Sequence, residues 1–132
     1  MTDAPPPAPG YPLGPEHRKK FKAFMRHWQH KLGLTRWRIE YSPKKTTYMS
    51  EVEFTDDACL AAYRLPSKWK TEEPTDLNLE RTAYHECGHV LLRRLIMVAA
   101  EKGIDHVDTE AAEHEVINAL EKEFFPHIDE KE

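Results

Sequence analysis

The chain has 132 residues, which is enough for one domain with a small core and leaves no room for a separate substrate-binding domain. A hydrophobic share of 39% and a charged share of 32% are typical of soluble globular proteins, and no apolar run is long enough to cross a membrane. The net charge of −4 argues against a protein that binds nucleic acid through its overall charge.

The first residues lack the basic and apolar pattern of a secretory signal, so we expect a cytoplasmic protein with no membrane partner. Cys59 and Cys87 are expected to be free thiols, because disulfides rarely persist in a reducing compartment. A single domain of this size is expected to be a monomer.

Residues 1–15 are rich in proline, with Pro5, Pro6 and Pro7 contiguous. Proline lacks a backbone donor, so this segment is predicted to be a disordered tail. The folded domain is then expected to span residues 16–126, and residues 127–132 form a second, polar tail.

A first helix is predicted over residues 16–32, between Pro15 and Gly33. Its apolar positions recur at helical spacing and predict a core-facing stripe: Phe21, Phe24, Met25, Trp28 and Leu32. The same helix is rich in Lys, Arg and His. A solvated outer face is the expected role of these cations, with a phosphate-binding surface as the alternative.

Alternating apolar and polar residues predict short strands at residues 35–42, 48–54 and 58–65. Together with three helices, they indicate an α+β protein in which the helices pack on a small three-stranded sheet, mixed or antiparallel.

A second helix, predicted over residues 76–102, carries the sequence His85-Glu86-Cys87-Gly88-His89. Residues four apart lie on the same face of a helix, so the two imidazoles can bind one ion. Zinc accepts such a pair and can keep one position open for water, and Glu86 is then in place to accept the proton of that water. This is the H-E-x-x-H arrangement of zinc peptidases.

A third ligand is expected from a third helix over residues 108–125, with Asp108 as its N-cap. With Val116 at the centre of its apolar face, Glu113 falls at about 60°, Glu115 at about −100° and His114 at about 160°. A carboxylate on a buried face needs a partner, so Glu113 is the expected ligand. Glu115 is the second choice and His114 the third. An ion pair with an arginine of the second helix is the competing role for Glu113.

His85, Glu86 and His89, with Glu113 24 residues after His89, resemble a minimal gluzincin-type zinc metallopeptidase. The layout is similar to small metallopeptidase domains of phages and prophages, and more distantly to SprT-like and ImmA/IrrE-like domains. The resemblance covers residues 35–123. It implies that residues 58–65 form the sheet edge that borders the catalytic cleft, where the small residues Ala58, Ala61 and Ala62 leave room for a peptide. An ordinary edge strand is the alternative. The Glu-x-x-x-Asp pattern of larger gluzincins is absent, since Ile117 stands four residues after Glu113.

This resemblance implies zinc-dependent hydrolysis of a peptide or protein substrate, by an endopeptidase rather than an exopeptidase. His85, His89 and Glu113 would bind Zn²⁺, and Glu86 would be the general base. Tyr63 or Tyr48 would supply an oxyanion donor if the fold brings either near. Two competing hypotheses are a zinc-binding regulatory or assembly module without hydrolytic activity, and a helical interaction protein without metal.

Overall fold

Three helices and five short strands make up residues 10 to 126, the part of the chain that this computed structural model describes. The helices are α1 (Pro15–Lys31), α2 (Asp76–Glu101) and α3 (His106–Phe124). The strands are β1 (Tyr11–Pro12), β2 (Arg38–Tyr41), β3 (Glu51–Thr55), β4 (Leu60–Arg64) and β5 (Lys68–Trp69). The predicted α+β class, with three helices and a small three-stranded sheet, is confirmed.

The main sheet has the strand order β2, β4, β3, with β2 parallel and β3 antiparallel to β4. The sheet is therefore mixed, and β4 lies at its centre. The expectation that residues 58–65 form the cleft edge is wrong, because β4 pairs with β2 on one side and with β3 on the other. The two edges of the sheet are β2 and β3.

Residues 11 to 13 belong to the folded domain, although their composition predicts a proline-rich tail. Tyr11 pairs with Trp69 in an antiparallel ladder between β1 and β5, and Leu13 donates a backbone hydrogen bond to Ser67 and is buried. Pro12 is tolerated because the ladder is only two residues long and lies at an edge. Residues 1–9 of the predicted tail, and the predicted tail at residues 127–132, lie outside the described residues.

Helix α1 packs across the first half of α2 through the apolar stripe that its sequence predicts. Phe21, Met25 and Trp28 are buried on α1, and the indole nitrogen of Trp28 donates to Glu80 of α2 at 3.1 Å. Trp28 also contacts Tyr84 and Phe124 edge to face, with ring centroids about 5 Å apart. Aromatic contacts of this geometry stabilise beyond their buried area, so this cluster joins all three helices.

A short loop links α2 to α3 and makes the two helices an antiparallel hairpin. The side chain of Thr75 caps α2 by accepting from the Asn78 N–H, and Gly103 adopts a φ of +78° just beyond its end. Helix α3 begins earlier than predicted. Its N-cap is Asp105, whose carboxylate accepts from the Val107 N–H, rather than Asp108. No helix within residues 10 to 126 combines the length and apolarity needed to cross a membrane.

The turn between β3 and β4 is fixed to α2 by a two-pronged ion pair. The Arg93 guanidinium contacts both carboxylate oxygens of Asp56 at 2.8 Å and also lies over the Phe54 ring. The hydrogen bond from Arg93 holds the pKa of Asp56 below its usual value of 3.8. The pair therefore stabilises the folded state above that pH, and its contribution is lost as the pH falls through the folded-state pKa.

We expect Asp56→Asn to lower the free energy of unfolding by about 0.5 to 1 kcal/mol at pH 7, because the pair is partly exposed. The difference from wild type should shrink toward zero as the pH falls through the lowered folded-state pKa of Asp56, because the acid is then protonated in both states. Urea unfolding across this pH range measures the effect. Asp57→Asn, a neighbouring exposed acid, is the matched control. A difference that stays constant down to the lowest pH would contradict the assignment.

Candidate metal centre

Two histidines of α2 face one another in the middle of the helix. His85 and His89 are one turn apart, and their Nε2 atoms lie 3.2 Å from each other. Two nitrogens that bind a tetrahedral zinc ion, each at about 2.05 Å, are about 3.3 Å apart. The separation in this helix is therefore that of two ligands of one ion.

His114 of α3 completes a group of three imidazoles. Its ring centroid lies 5.5 Å from that of His85 and 4.9 Å from that of His89. One ligand atom from each of the three rings lies within 4.8 Å of the others, and no other group of three metal-binding side chains occurs in residues 10 to 126. The α2–α3 hairpin thus brings together three nitrogen donors.

Oxygen atoms of α3 contact Nδ1 of two of these rings, the nitrogen that points away from the other imidazoles. The Glu113 carboxylate lies 2.8 Å from Nδ1 of His89, and the backbone carbonyl of Glu110 lies 3.0 Å from Nδ1 of His114. These contacts assign the ring proton of each histidine to Nδ1. Nε2 of each ring then carries the lone pair that can bind a metal ion. Metal-binding histidines in proteins are commonly held in this way.

The position of Glu113 differs from the sequence-based expectation. Its carboxylate contacts the outer nitrogen of His89, while His114, which the predicted helix geometry pointed away from the core, lies with His85 and His89. The predicted apolar face was centred on the wrong residue, since Val116 is 45% exposed and Ile117 is 1% exposed. With Ile117 at the centre, Glu113 falls at about 40° and His114 at about 60° from it.

Two further expectations for α3 can be compared with the structure. Glu115, the second choice as third ligand, lies on the exposed side of the helix. The competing ion pair of Glu113 with Arg93 or Arg94 does not occur within residues 10 to 126: Glu113 contacts His89, and Arg93 pairs with Asp56.

Close packing of α2 and α3 makes the approach of His114 possible. A Cβ atom at Gly88 would lie 3.0 Å from Cγ1 of Ile117, closer than side chains normally pack. Nearby, the Tyr84 hydroxyl donates to the backbone carbonyl of Ile117 at 2.8 Å. Gly88 thus lets α3 come near enough to α2 for His114 to join the other two rings.

The protonation state of His85 suits a metal ligand. Burial lowers the pKa of His85 to about 4, and the neighbouring His89 and His114 act in the same direction. The ring is therefore neutral near pH 7, the form that binds a metal ion.

Glu86 points from α2 toward the edge of the sheet and is only 5% exposed. The Ser50 hydroxyl, one residue before β3, donates a short hydrogen bond to its Oε2 atom. Burial raises the pKa of Glu86, and the Ser50 hydrogen bond partly opposes that shift. A carboxylate in this setting is a stronger base than one in water.

A cleft of about 250 Å³ opens beside His85 and Glu86. Its wall includes Ser50 from the edge of the sheet, Arg81 from α2 and Glu121 from α3. Arg81 stands one turn before His85 and is held by Glu72 at 2.6 Å. It is the only Lys or Arg on the described wall of this cleft, and no sequence motif marks it.

The two tyrosines expected as oxyanion donors do not line this cleft. Tyr63 is buried and packs on Phe21 of α1. Tyr48 is 67% exposed. Ser50 is a functional candidate that the sequence did not indicate, since a lone serine before a strand carries no sign of its contact with Glu86.

The donor set fits a zinc ion. Three imidazoles form a ligand set that zinc uses in catalytic sites, and that set leaves one position open. Without a cation, Nε2–H of His85 can donate to Nε2 of His89 across the 3.2 Å that separates them, and a bound ion would replace that proton.

Comparisons with known proteins assign no family. No family model matches the chain, and no curated protein or solved structure resembles it significantly.

We expect Gly88→Val to weaken zinc binding at least about tenfold, because the new side chain would push Ile117 and α3 away from α2. Adding Ile117→Ala should recover part of the affinity, since it removes the three atoms that the new Cβ would meet. Zinc titration against a chromophoric chelator measures both variants. Wild-type affinity in Gly88→Val alone would show that helix spacing does not control the site.

Proposed function

We propose that the protein is a zinc-dependent peptidase. The observation that carries the proposal is the position of the Glu86 carboxylate, which is buried at the cleft beside three convergent imidazoles. His85, His89 and His114 are the proposed metal ligands, in place of the set with Glu113. Glu113 is proposed as the residue that orients His89.

His85, His89 and His114 would hold the zinc ion, which would supply Lewis acidity for hydrolysis when bound. Glu86 accepts the proton of the attacking water and then passes it to the leaving amine. Ser50 donates to one oxygen of Glu86, and the other oxygen is the proposed proton acceptor. Arg81 is the proposed donor to the negative charge that develops on the carbonyl oxygen.

The proposed substrate is an extended segment of a protein or peptide. β3 is an edge strand, and it begins directly after Ser50 at the wall of the cleft. An extended chain can add to such an edge by backbone hydrogen bonds and so pass its carbonyls across Glu86. Strand addition does not require a free chain end, so an endopeptidase is proposed.

A second candidate function is that of a zinc-binding module without hydrolytic activity. The observation that favours it is the confinement of Glu86, which is nearly buried and already hydrogen-bonded to Ser50. A carboxylate held in this way can stabilise the site without meeting a substrate.

A cytoplasmic, monomeric enzyme is part of the same proposal. Two free thiols, Cys59 and the buried Cys87, are consistent with a reducing compartment.

We expect Glu86→Gln to bind one equivalent of zinc and to lose hydrolysis by at least about 10²-fold, because the amide cannot accept the proton. Release of dye from fluorescein-labelled casein measures activity, and metal analysis measures zinc. Glu115→Gln, which makes the same change of charge on the exposed face of α3, should remain active. A Glu86→Gln protein that hydrolyses casein at the wild-type rate would contradict the role of Glu86. Zinc binding with no hydrolysis by wild type would favour the non-hydrolytic module.

Substitutions at the three proposed ligands test the metal site separately from hydrolysis. His85→Ala, His89→Ala and His114→Ala should each lower zinc affinity at least about 100-fold, and Glu113→Ala should lower it about ten- to a hundredfold because it removes the acceptor for Nδ1 of His89. His106→Ala, at an exposed position of α3, is the control. Zinc titration measures affinity.

Thermal unfolding with and without a chelator gives an independent measure of the ligand set. Zinc at about 100 times its Kd should stabilise wild type by about 2.7 kcal/mol and should not stabilise the ligand variants. If Glu113→Ala abolished binding while His114→Ala bound zinc normally, the set with Glu113 would be correct.

A further inference from the structure

A groove of about 360 Å³ separates α1 from β2, the strand at the sheet edge away from Ser50 and the zinc cleft. Lys22, Arg26 and Gln29 line it from α1, and Ile39 and Tyr41 line it from the strand. We call this depression the β2 groove. None of these five residues takes part in the proposed hydrolysis.

The two cations of the β2 groove are not neutralised. Lys22 and Arg26 are exposed, and neither forms a hydrogen bond or an ion pair with another residue of the described part of the chain. The one acid on the wall, Glu40, is 2.8 Å from Arg38 and is thus already paired. A chain with a net charge of −4 therefore carries a local positive site in this groove.

The backbone of β2 offers unpaired groups to the same groove. Arg38 and Ser42 donate their N–H groups to the carbonyls of Cys59 and Tyr63, on the β4 side, at 2.8 and 2.7 Å. Alternate residues of a strand bond to opposite sides, so the N–H and carbonyl groups of Ile39 and Tyr41 face away from β4. Both of these residues line the groove.

We propose that the β2 groove binds an extended acidic segment of a partner protein, which adds to the sheet as a strand next to β2. Lys22 and Arg26 are one helical turn apart, a rise of about 6 Å. Residues i and i+2 of a strand are about 6.8 Å apart and point the same way. The segment that fits therefore carries acids at alternate positions, as in Glu-x-Glu.

Two features favour a peptide over a nucleic acid. An edge strand pairs its N–H and carbonyl groups with those of another peptide backbone, which a phosphate backbone does not offer. The overall negative charge of the chain also opposes a long polyanion, whereas a short acidic segment meets only the two local cations. The inference does not depend on the proposed hydrolysis, because β3 and the zinc cleft lie at the opposite edge of the sheet.

Fluorescence anisotropy with a labelled eight-residue peptide of alternating Glu and Val tests the proposal. The Glu86→Gln protein is used so that the peptide stays intact. The peptide should bind, and Lys22→Glu with Arg26→Glu should weaken binding at least about tenfold. Lys70→Glu with Lys122→Glu, which changes the net charge equally at exposed sites outside the groove, should leave the Kd within about twofold.

Three results would overturn the proposal: equal binding by the groove variant, equal binding of a Lys and Val peptide, or binding of a thymidine oligonucleotide in place of the acidic peptide. Amide hydrogen exchange followed by NMR gives a second test of the strand addition. The amides of Ile39 and Tyr41 should become protected when the Glu and Val peptide binds, while that of Glu40, directed at β4, should not change. Unchanged exchange at Ile39 and Tyr41 would also overturn the proposal.

Discussion

The candidate site depends on the close approach of α2 and α3 at Gly88. An ordinary side chain there would meet Ile117, which is buried between the helices. The Tyr84 hydroxyl donates a hydrogen bond to the backbone carbonyl of Ile117 and so fixes α3 to α2 at the same position. These contacts place His114 opposite a histidine pair that α2 already presents at one-turn spacing. The geometry of the three rings is therefore set by helix packing, with the ring orientations adjusted by Glu113 and the Glu110 carbonyl.

The histidine pair of α2 can be predicted from the sequence, whereas the position of His114 on α3 cannot. Histidines four apart on a strongly indicated helix must share a face, so spacing alone places His85 beside His89. On α3, the apolar residues Val116 and Leu120 are exposed, and the inward face carries Glu113 and His114. When polar residues lie on the buried face of a helix and apolar residues on its exposed face, hydrophobic periodicity no longer marks the buried face. The centre of the buried face of α3 was therefore predicted at the wrong residue.

Strand order is a second feature that local patterns do not encode. Alternation shows which face of a strand is buried, but it does not show which strand lies between the other two. The family resemblance implied an open edge at residues 58–65, whereas in the structure β4 pairs with a strand on each side and Ala61 is buried. The N-terminal ladder was missed for a related reason. The two-residue pairing of Tyr11 with Trp69 requires a contact between segments that lie far apart in the sequence.

The three imidazoles all come from one stretch of chain, residues 85 to 114, whereas the hydroxyl that holds Glu86 comes from Ser50 in another. The proposed metal ligands and the residue that holds the proposed base therefore lie in different parts of the polypeptide. Under the proposed function, substitutions at Ser50 or around β3 would change how Glu86 is presented and leave the three imidazoles of the hairpin in place. Hydrolysis could then be lost through the sheet while metal binding is kept.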